Sequence, residues 1–283
     1  MVSEIRSNTP GQPWNTMDTL ANIAPFCVSI TGVDNSVLVE DLVTLSLKYP
    51  FVEWGVLYCP TREGTARYPT PNWREELARV RLQHGLLTAL HLHDDDVFWK
   101  VLGARYDKRL PLHDELGCYR RVQVNINARK KTFRSEDVFA VYQNLASHEV
   151  RLIFQYHDST ASAINRYLDT QTLSAFIRGA YLGDFAVLFD ESRGSGVAPD
   201  TWHAPFFRYG RGLQTGYAGG ISPENIEAVL DSVAKTLVEA GHPEARYWLE
   251  MASGVRTEDR IDLQKIERVL SAVAKRMPTE DSR

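Results

Sequence analysis

The run Y-A-G-G-I-S-P-E-N, Tyr217 to Asn225, joins the end of an apolar stretch to the start of an amphipathic one through two adjacent glycines. Leu213 to Ala218 reads as a buried strand. Ser222, Pro223 and Glu224 then supply an N-cap, a first-turn proline and an early acid for a helix. A strand that enters a helix through Gly219 and Gly220 bares its main chain. Without Cβ atoms in the way, an anion can reach the amide N–H groups, with the positive end of the helix dipole alongside. A second turn of the same kind follows Tyr247 to Met251, another apolar run, at Ala252-Ser253-Gly254-Val255. Either turn alone could be no more than a tight bend. Two in succession at the end of a chain of alternating strands and helices point to a phosphate cradle, for which Gly219, Gly220, Ser253 and Gly254 are the candidate residues.

Outward from this run, the chain alternates short apolar segments with amphipathic ones. The spacing predicts strands at Phe26 to Ile30, Val52 to Tyr58, Leu86 to His91, Arg121 to Asn127, Arg151 to Tyr156, Phe185 to Phe189, Leu213 to Tyr217 and Tyr247 to Met251. Helical stretches are expected at Leu38 to Lys48, Trp73 to Gln83, Asp95 to Arg105, Ser135 to His148, Leu173 to Ala180, Pro223 to Ala240 and Leu263 to Arg276, with an irregular piece around Trp202 to Arg208. Strict alternation with buried strands implies a parallel α/β architecture. Eight strands favour a closed (β/α)8 TIM barrel over an open doubly wound sheet, whose glycine fingerprint would sit in the first turn. The expected organisation is an N-terminal arm over 1–24, a single barrel over 25–277 and a tail over 278–283. Long loops are expected at Asp107 to Tyr119 and Asp158 to Thr172. In such barrels the loops after strands 7 and 8 are a frequent phosphate site.

The chain has 283 residues, a net charge of −4 and three cysteines without a C-x-x-C pair. The scattered basic residues offer no nucleic-acid surface and no polybasic membrane patch. An odd cysteine count suits a reducing compartment. No apolar run reaches membrane-spanning length, and the polar stretch Met1 to Asn22 lacks a signal-peptide pattern. A cytoplasmic protein is expected, without nucleic-acid or membrane partners; oligomeric state is left open.

Catalytic groups in barrels come from the carboxyl ends of strands. Period-two reading puts Gln123, Asn125 and Asn127 in one row on strand 4, His91 with His93 on strand 3, and Gln155 with His157 on strand 5. Buried amides without partners are costly, so these rows should face inward near the mouth. Asp190 ends strand 6 ahead of Ser192-Arg193-Gly194-Ser195-Gly196, and Glu250 lies on strand 8. A carboxylate raised in pKa by burial beside such a loop can act as a general acid. Strand ends carry no lysine for Schiff-base chemistry and no G-x-S-x-G elbow occurs. His91, His93, His157 and Asp190 could assemble a metal site, but a His-x-His pair does not define one, and no metal or cofactor is expected.

These motifs resemble those of the phosphoribosylanthranilate isomerase family of tryptophan biosynthesis. Y-A-G-G-I-S-P-E-N-I is similar to its strand 7 motif. L-E-M-A-S-G-V-R is similar to its strand 8 motif, usually D-x-S-S-G-V-E. V-L-F-D-E-S-R-G-S-G with Trp202 following resembles its strand 6 acid, glycine-rich loop and tryptophan. S-I-T-G-V-D resembles the strand 1 motif K-I-C-G-I-T, and W-G-V-L-Y-C-P leading to Arg67 resembles strand 2 and its arginine loop. The resemblance implies an Amadori rearrangement of a phosphoribosyl substrate. Asp190 then matches the acid, Arg67 an arginine holding a substrate carboxylate, and Gly219, Gly220, Ser253 and Gly254 the phosphate site. The family's base is a cysteine where this chain has Thr31, whose hydroxyl would need its own activating base. Glu250 stands for aspartate and Arg256 for glutamate, and Arg256 is expected to add positive charge near the cradle.

Three readings remain open. One is a diverged enzyme acting on a phosphorylated sugar or nucleotide-like molecule, with Asp190 as acid, Asp34, His157 or Asp94 as replacement base, and Arg67, Asn125, Asn127 and Glu250 holding substrate. The second is the family isomerase with Thr31 at the base position. The third is a non-catalytic phospholigand-binding protein.

Overall fold

The computed structural model describes residues 20–93, 115–125, 134–146, 150–178, 185–190, 198–208 and 211–277. Its main strands are β1 (Cys27–Thr31), β2 (Val52–Tyr58), β3 (Leu87–Leu92), β4 (Arg121–Val124), β5 (Arg151–Tyr156), β6 (Phe185–Asp190), β7 (Gln214–Ala218) and β8 (Tyr247–Met251). They pair in parallel and close in the order β1-β8-β7-β6-β5-β4-β3-β2, the expected TIM barrel. The described helices are α1 (Val39–Lys48), α2 (Pro71–His84), α3 (Ser135–Ala146), α4 (Asp158–Arg178), α5 (Ile226–Glu239) and α6 (Leu263–Ala274). Two short hairpins pair Phe207–Arg208 with Arg211–Gly212 and Arg256–Thr257 with Arg260–Ile261. No described helix is long and apolar enough to cross a membrane.

Strand β2 shows how the two-residue period divides the layers. All seven residues are buried. Trp54 faces out, its indole Nε1 donating to Ser46 Oγ of α1 at 2.8 Å. Glu53 faces in, where Arg121 of β4 meets it.

Two sequence expectations need correction. Asp158 to Thr172 is no loop but the first part of α4. Thr160, Ala163, Ile164, Tyr167 and Leu168 recur at helical spacing and are buried, a pattern veiled by the polar residues between them. Ser222 does not cap α5, which begins at Ile226 with Asn225 as its N-cap. A turn intervenes, in which Ser222 N donates to Asn225 Oδ1 at 2.8 Å and Asn225 Nδ2 to Gly220 O at 2.8 Å. Asn225 therefore braces the glycine bend from below. The stretch Asp95 to Arg105, the Ser192 to Gly196 run, the tail and most of the arm and of the Asp107 to Tyr119 loop lie outside the described residues.

The amino end of the barrel is plugged. Arg121 Nε donates to Glu53 Oε2 at 2.7 Å, and Nη2 to Glu53 Oε1, both side chains being buried. The guanidinium carbon sits 4.4 Å from the Trp248 ring centre. Trp248 fits because β7 carries Gly216, where a Cβ would stand 2.2 Å from the indole. Leu20 and Ile23, at the end of the expected arm, pack on the core.

Candidate functional site

A cavity of about 380 Å³ opens at the carboxyl ends of the strands. Thr31, Arg67, Asn125, Asp190, Gly219, Gly220, Glu250, Ser253 and Gly254 line it, and so do His91, His93, Gln123 and Gln155. The inward rows read from the sequence thus meet in one place, apart from residues considered below.

The glycine turns form one wall. Gly219 and Gly220 have φ of 128° and 58°, the region that favours glycine. Gly254 is constrained by space: a Cβ there would lie 2.1 Å from the carbonyl oxygen of Ile221, so the loops after β7 and β8 touch backbone to backbone. Arg67 reaches over this wall from the loop after β2. Its Nη1 donates to Ser253 Oγ at 3.2 Å and its Nε pairs with Asp259 at 2.8 Å. The guanidinium is a third exposed, with both partners at the rim.

The floor is polar. Gln155 Nε2 donates to Asp190 Oδ2 at 3.0 Å on one side. On the other, Gln123 Nε2 bridges Asn125 Oδ1 at 2.9 Å and Glu250 Oε1 at 3.3 Å. Burial raises the Glu250 carboxyl to about 7, with Arg121 and the Gln123 hydrogen bond pulling against it. His91 Nδ1 lies 3.7 Å from Glu250 Oε1. Burial, reinforced by Arg121 and His93, pushes the His91 imidazole down to about 3, so it is neutral at physiological pH. The contact is therefore no ion pair near neutrality. It joins a neutral imidazole to a carboxyl that exchanges its proton there.

Several expected residues do not join the lining. Asp34 is buried in a structural knot: Oδ1 accepts from Ser36 N at 2.9 Å, and Oδ2 from Arg256 Nη2 at 2.6 Å and from the Arg67 amide. Burial alone would raise its pKa, but the hydrogen bonds from Ser36, Arg67 and Arg256 outweigh it and hold the carboxylate below its usual range. That leaves it ill suited to serve as a base. His157 stands at the start of α4 with its Nδ1 on Ser159 Oγ at 2.9 Å, outside the cavity lining. Arg256 adds no charge to the cradle, because its guanidinium turns away to Gly32 O at 2.7 Å and to Asp34. Asn127 and Asp94 lie outside the described residues. One interior feature escaped the sequence reading. Gly55 interrupts β2 in the barrel interior, and a glycine inside a strand pattern is the signal of close approach that would have found it.

Compared as a sequence, the chain matches no family model and no curated protein. Compared as a structure, it is similar to N-(5'-phosphoribosyl)anthranilate isomerase from Pyrococcus furiosus at 15% identity and a TM-score of 0.45, over 88% of this chain and 98% of that one. It is also similar to phospho-2-dehydro-3-deoxyheptonate aldolase from Thermotoga maritima, at 9% identity and a TM-score of 0.48, over 90% and 68%. Cel5A from Thermotoga maritima, solved with mannotriose, gives 11% identity and a TM-score of 0.45, over 92% and 100%. At such identities the likeness is one of overall architecture alone.

Proposed function

We propose that the barrel mouth binds a phosphorylated sugar or nucleotide-like small molecule and acts on it by acid–base chemistry, with Asp190 as general acid. The observation that carries this reading is the backbone contact at Gly254, 2.1 Å from Ile221 O for any added Cβ, which closes the loops after β7 and β8 into one bare wall beside the polar floor. Barrel order gives the wall its chemical meaning. β7 and β8 lie between β6, which carries Asp190, and β1, which carries Thr31. A ligand gripped at the wall by its phosphate would have a carboxyl on one flank and a hydroxyl on the other. That is the arrangement needed to give a proton on one side and take one on the other. Arg67 at the rim supplies a guanidinium for a second anionic group. The motif resemblance makes phosphoribosylanthranilate and its rearranged product the first compounds to try.

Thermal-shift and native mass spectrometry against ribose 5-phosphate, nucleoside monophosphates and a reduced analogue of the rearranged product test the reading. Phosphorylated compounds should stabilise the protein and their dephosphorylated counterparts should not. Gly254→Ala should weaken the binding at least tenfold, about 1.4 kcal/mol. Equal responses to phosphorylated and dephosphorylated compounds would remove the cradle. With a substrate in hand, Asp190→Asn should cut turnover by roughly 10²–10⁴ while leaving binding in place, the usual worth of a positioned acid. Unchanged turnover would remove Asp190 from that role.

A further inference from the structure

Beside the cradle and Asp190, the interior holds a set of polar atoms that neither uses. Thr31 Oγ1, both His91 nitrogens and Glu250 Oε2 are buried without a hydrogen-bond partner. Their residues are 6%, 1% and 7% exposed. Buried polar atoms are nearly always paired, so several orphans on three side chains facing one cavity call for a reason.

The three side chains stand in series. Glu250 Oε1 on β8 lies 3.7 Å from His91 Nδ1 on β3. On the far edge of the same ring, Nε2 lies 2.9 Å from the point that a Cβ on Gly55 would occupy, and Thr31 Oγ1 lies 2.9 Å from that point too. Gly55 is paired with Thr31 on one side and with Ala89 on the other, in the middle of a regular strand. It is absent from the positive-φ residues, so its backbone does not call for glycine. What it does is keep a methyl group out of the gap between an imidazole nitrogen and a hydroxyl.

Building on the acid–base reading above, we propose that Glu250, His91 and Thr31 form a proton relay that makes the Thr31 hydroxyl a base toward the bound ligand, with Gly55 keeping its path open. In the working direction Thr31 Oγ1 takes a proton from the ligand as it passes its own to His91 Nε2. His91 gives its Nδ1 proton to the Glu250 carboxylate. The relay ends with Thr31 restored, His91 still neutral in its other tautomer, Glu250 neutral and the negative charge on the ligand. A carboxylate behind an imidazole behind a hydroxyl is the order of the Ser-His-Asp triad, one established way of activating a weakly acidic hydroxyl. The contact of 3.7 Å is long for a made bond and Thr31 Oγ1 is not hydrogen-bonded to His91 Nε2; catalytic contacts are often this loose before a ligand tightens them. Gln123 fixes the Glu250 oxygen nearest the ring. The charged and titratable groups around the pair are Arg121 of β4, His93 beyond β3, Glu53 of β2 and Asp190 of β6. Their sum, with burial, leaves Glu250 as the group that exchanges protons near neutrality and His91 as a neutral conductor.

The test needs neither substrate nor phosphate, so its failure is separate from failure of the cradle. Thr31→Cys puts a titratable probe at the end of the relay. Its alkylation by iodoacetamide is followed against pH by fragment-ion sequencing of the peptides, which reads position 31 apart from Cys27, Cys59 and Cys118. The rate should inflect near the Glu250 value of about 7, below the ordinary thiol value of about 8.5. Adding His91→Gln should return the inflection to about 8.5 or above. The same pH profile with and without His91 would overturn the relay. A measurement on the unaltered chain stands beside it. The ¹⁵N shifts of the His91 ring should report a switch from the Nε2–H to the Nδ1–H tautomer as pH rises through about 7, with the ring neutral throughout. One tautomer across that range would also overturn the proposal.

Discussion

Arg121→Met should lower the stability of the protein by about 3–5 kcal/mol, read from urea unfolding at neutral pH, the largest effect expected of any single substitution here. The reason lies in what the change leaves behind. Glu53 is 3% exposed, and Arg121 meets its two oxygens with Nε and Nη2. Methionine would keep much of the volume against Trp248 but strand a carboxylate in the barrel plug. The companion experiment separates the cost of the orphan from the worth of the pair. Glu53→Leu combined with Arg121→Met removes both charges, and most of the loss should be recovered, since a buried pair replaced by apolar side chains is often neutral. A double variant as unstable as Arg121→Met would show that the pair itself, and not the stranded charge, holds the plug. Arg121 is also the charge that opposes burial at Glu250, so the single variant should raise the Glu250 pKa further.

Glu250→Gln should have an effect that depends on pH. In the folded chain the carboxyl ionises at about 7 against an ordinary value of 4.5. The folded state therefore holds this proton more tightly than the unfolded state does. The stability it contributes is fully present below about 4.5, declines from there, and is lost once pH has risen through about 7. Glutamine imitates the protonated form at every pH. The variant should match the natural chain at pH 4.5 and exceed it by ~3 kcal/mol at pH 8, an order-of-magnitude figure from the size of the shift. His91 acts in the opposite sense, since a folded value of about 3 against 6.5 removes stability as pH falls through that interval. Both proteins retain His91, so the difference between them isolates Glu250. A difference independent of pH between 4.5 and 8 would place the Glu250 proton elsewhere.

The sequence announced the barrel because its strands obey local rules. β2, β5 and β8 run over the residues that apolar runs and flanking turns mark out, and the inward rows follow from a period of two. The polar cavity lining was legible for the same reason, from Asn125 and His91 to Glu250. What stayed hidden was set by contacts between distant segments. Asp34 reads as a candidate replacement base, and Arg256 as a charge beside the cradle. Their pairing joins residues 222 positions apart and withdraws both from the mouth. α4 hid behind polar residues on its outer face, though its buried side chains keep helical spacing. Ser222 lost its expected cap because Asn225 competes for the same turn through its side chain, a choice that helix-start signals alone do not settle.

The knot at Asp34 also sets an order of events in time. It gathers the loop after β1, the Arg67 loop and the hairpin that begins at Arg256. A ribosome delivers Arg256 222 residues after Asp34, at roughly 5–20 residues per second. Until then the carboxylate has no guanidinium partner, and β1 has no β8 to close upon. A nascent chain stalled between α5 and β8 would carry the described helices α1 to α5 and still lack a closed mouth. The glycine wall and its rim come into being together, when β8 shuts the ring.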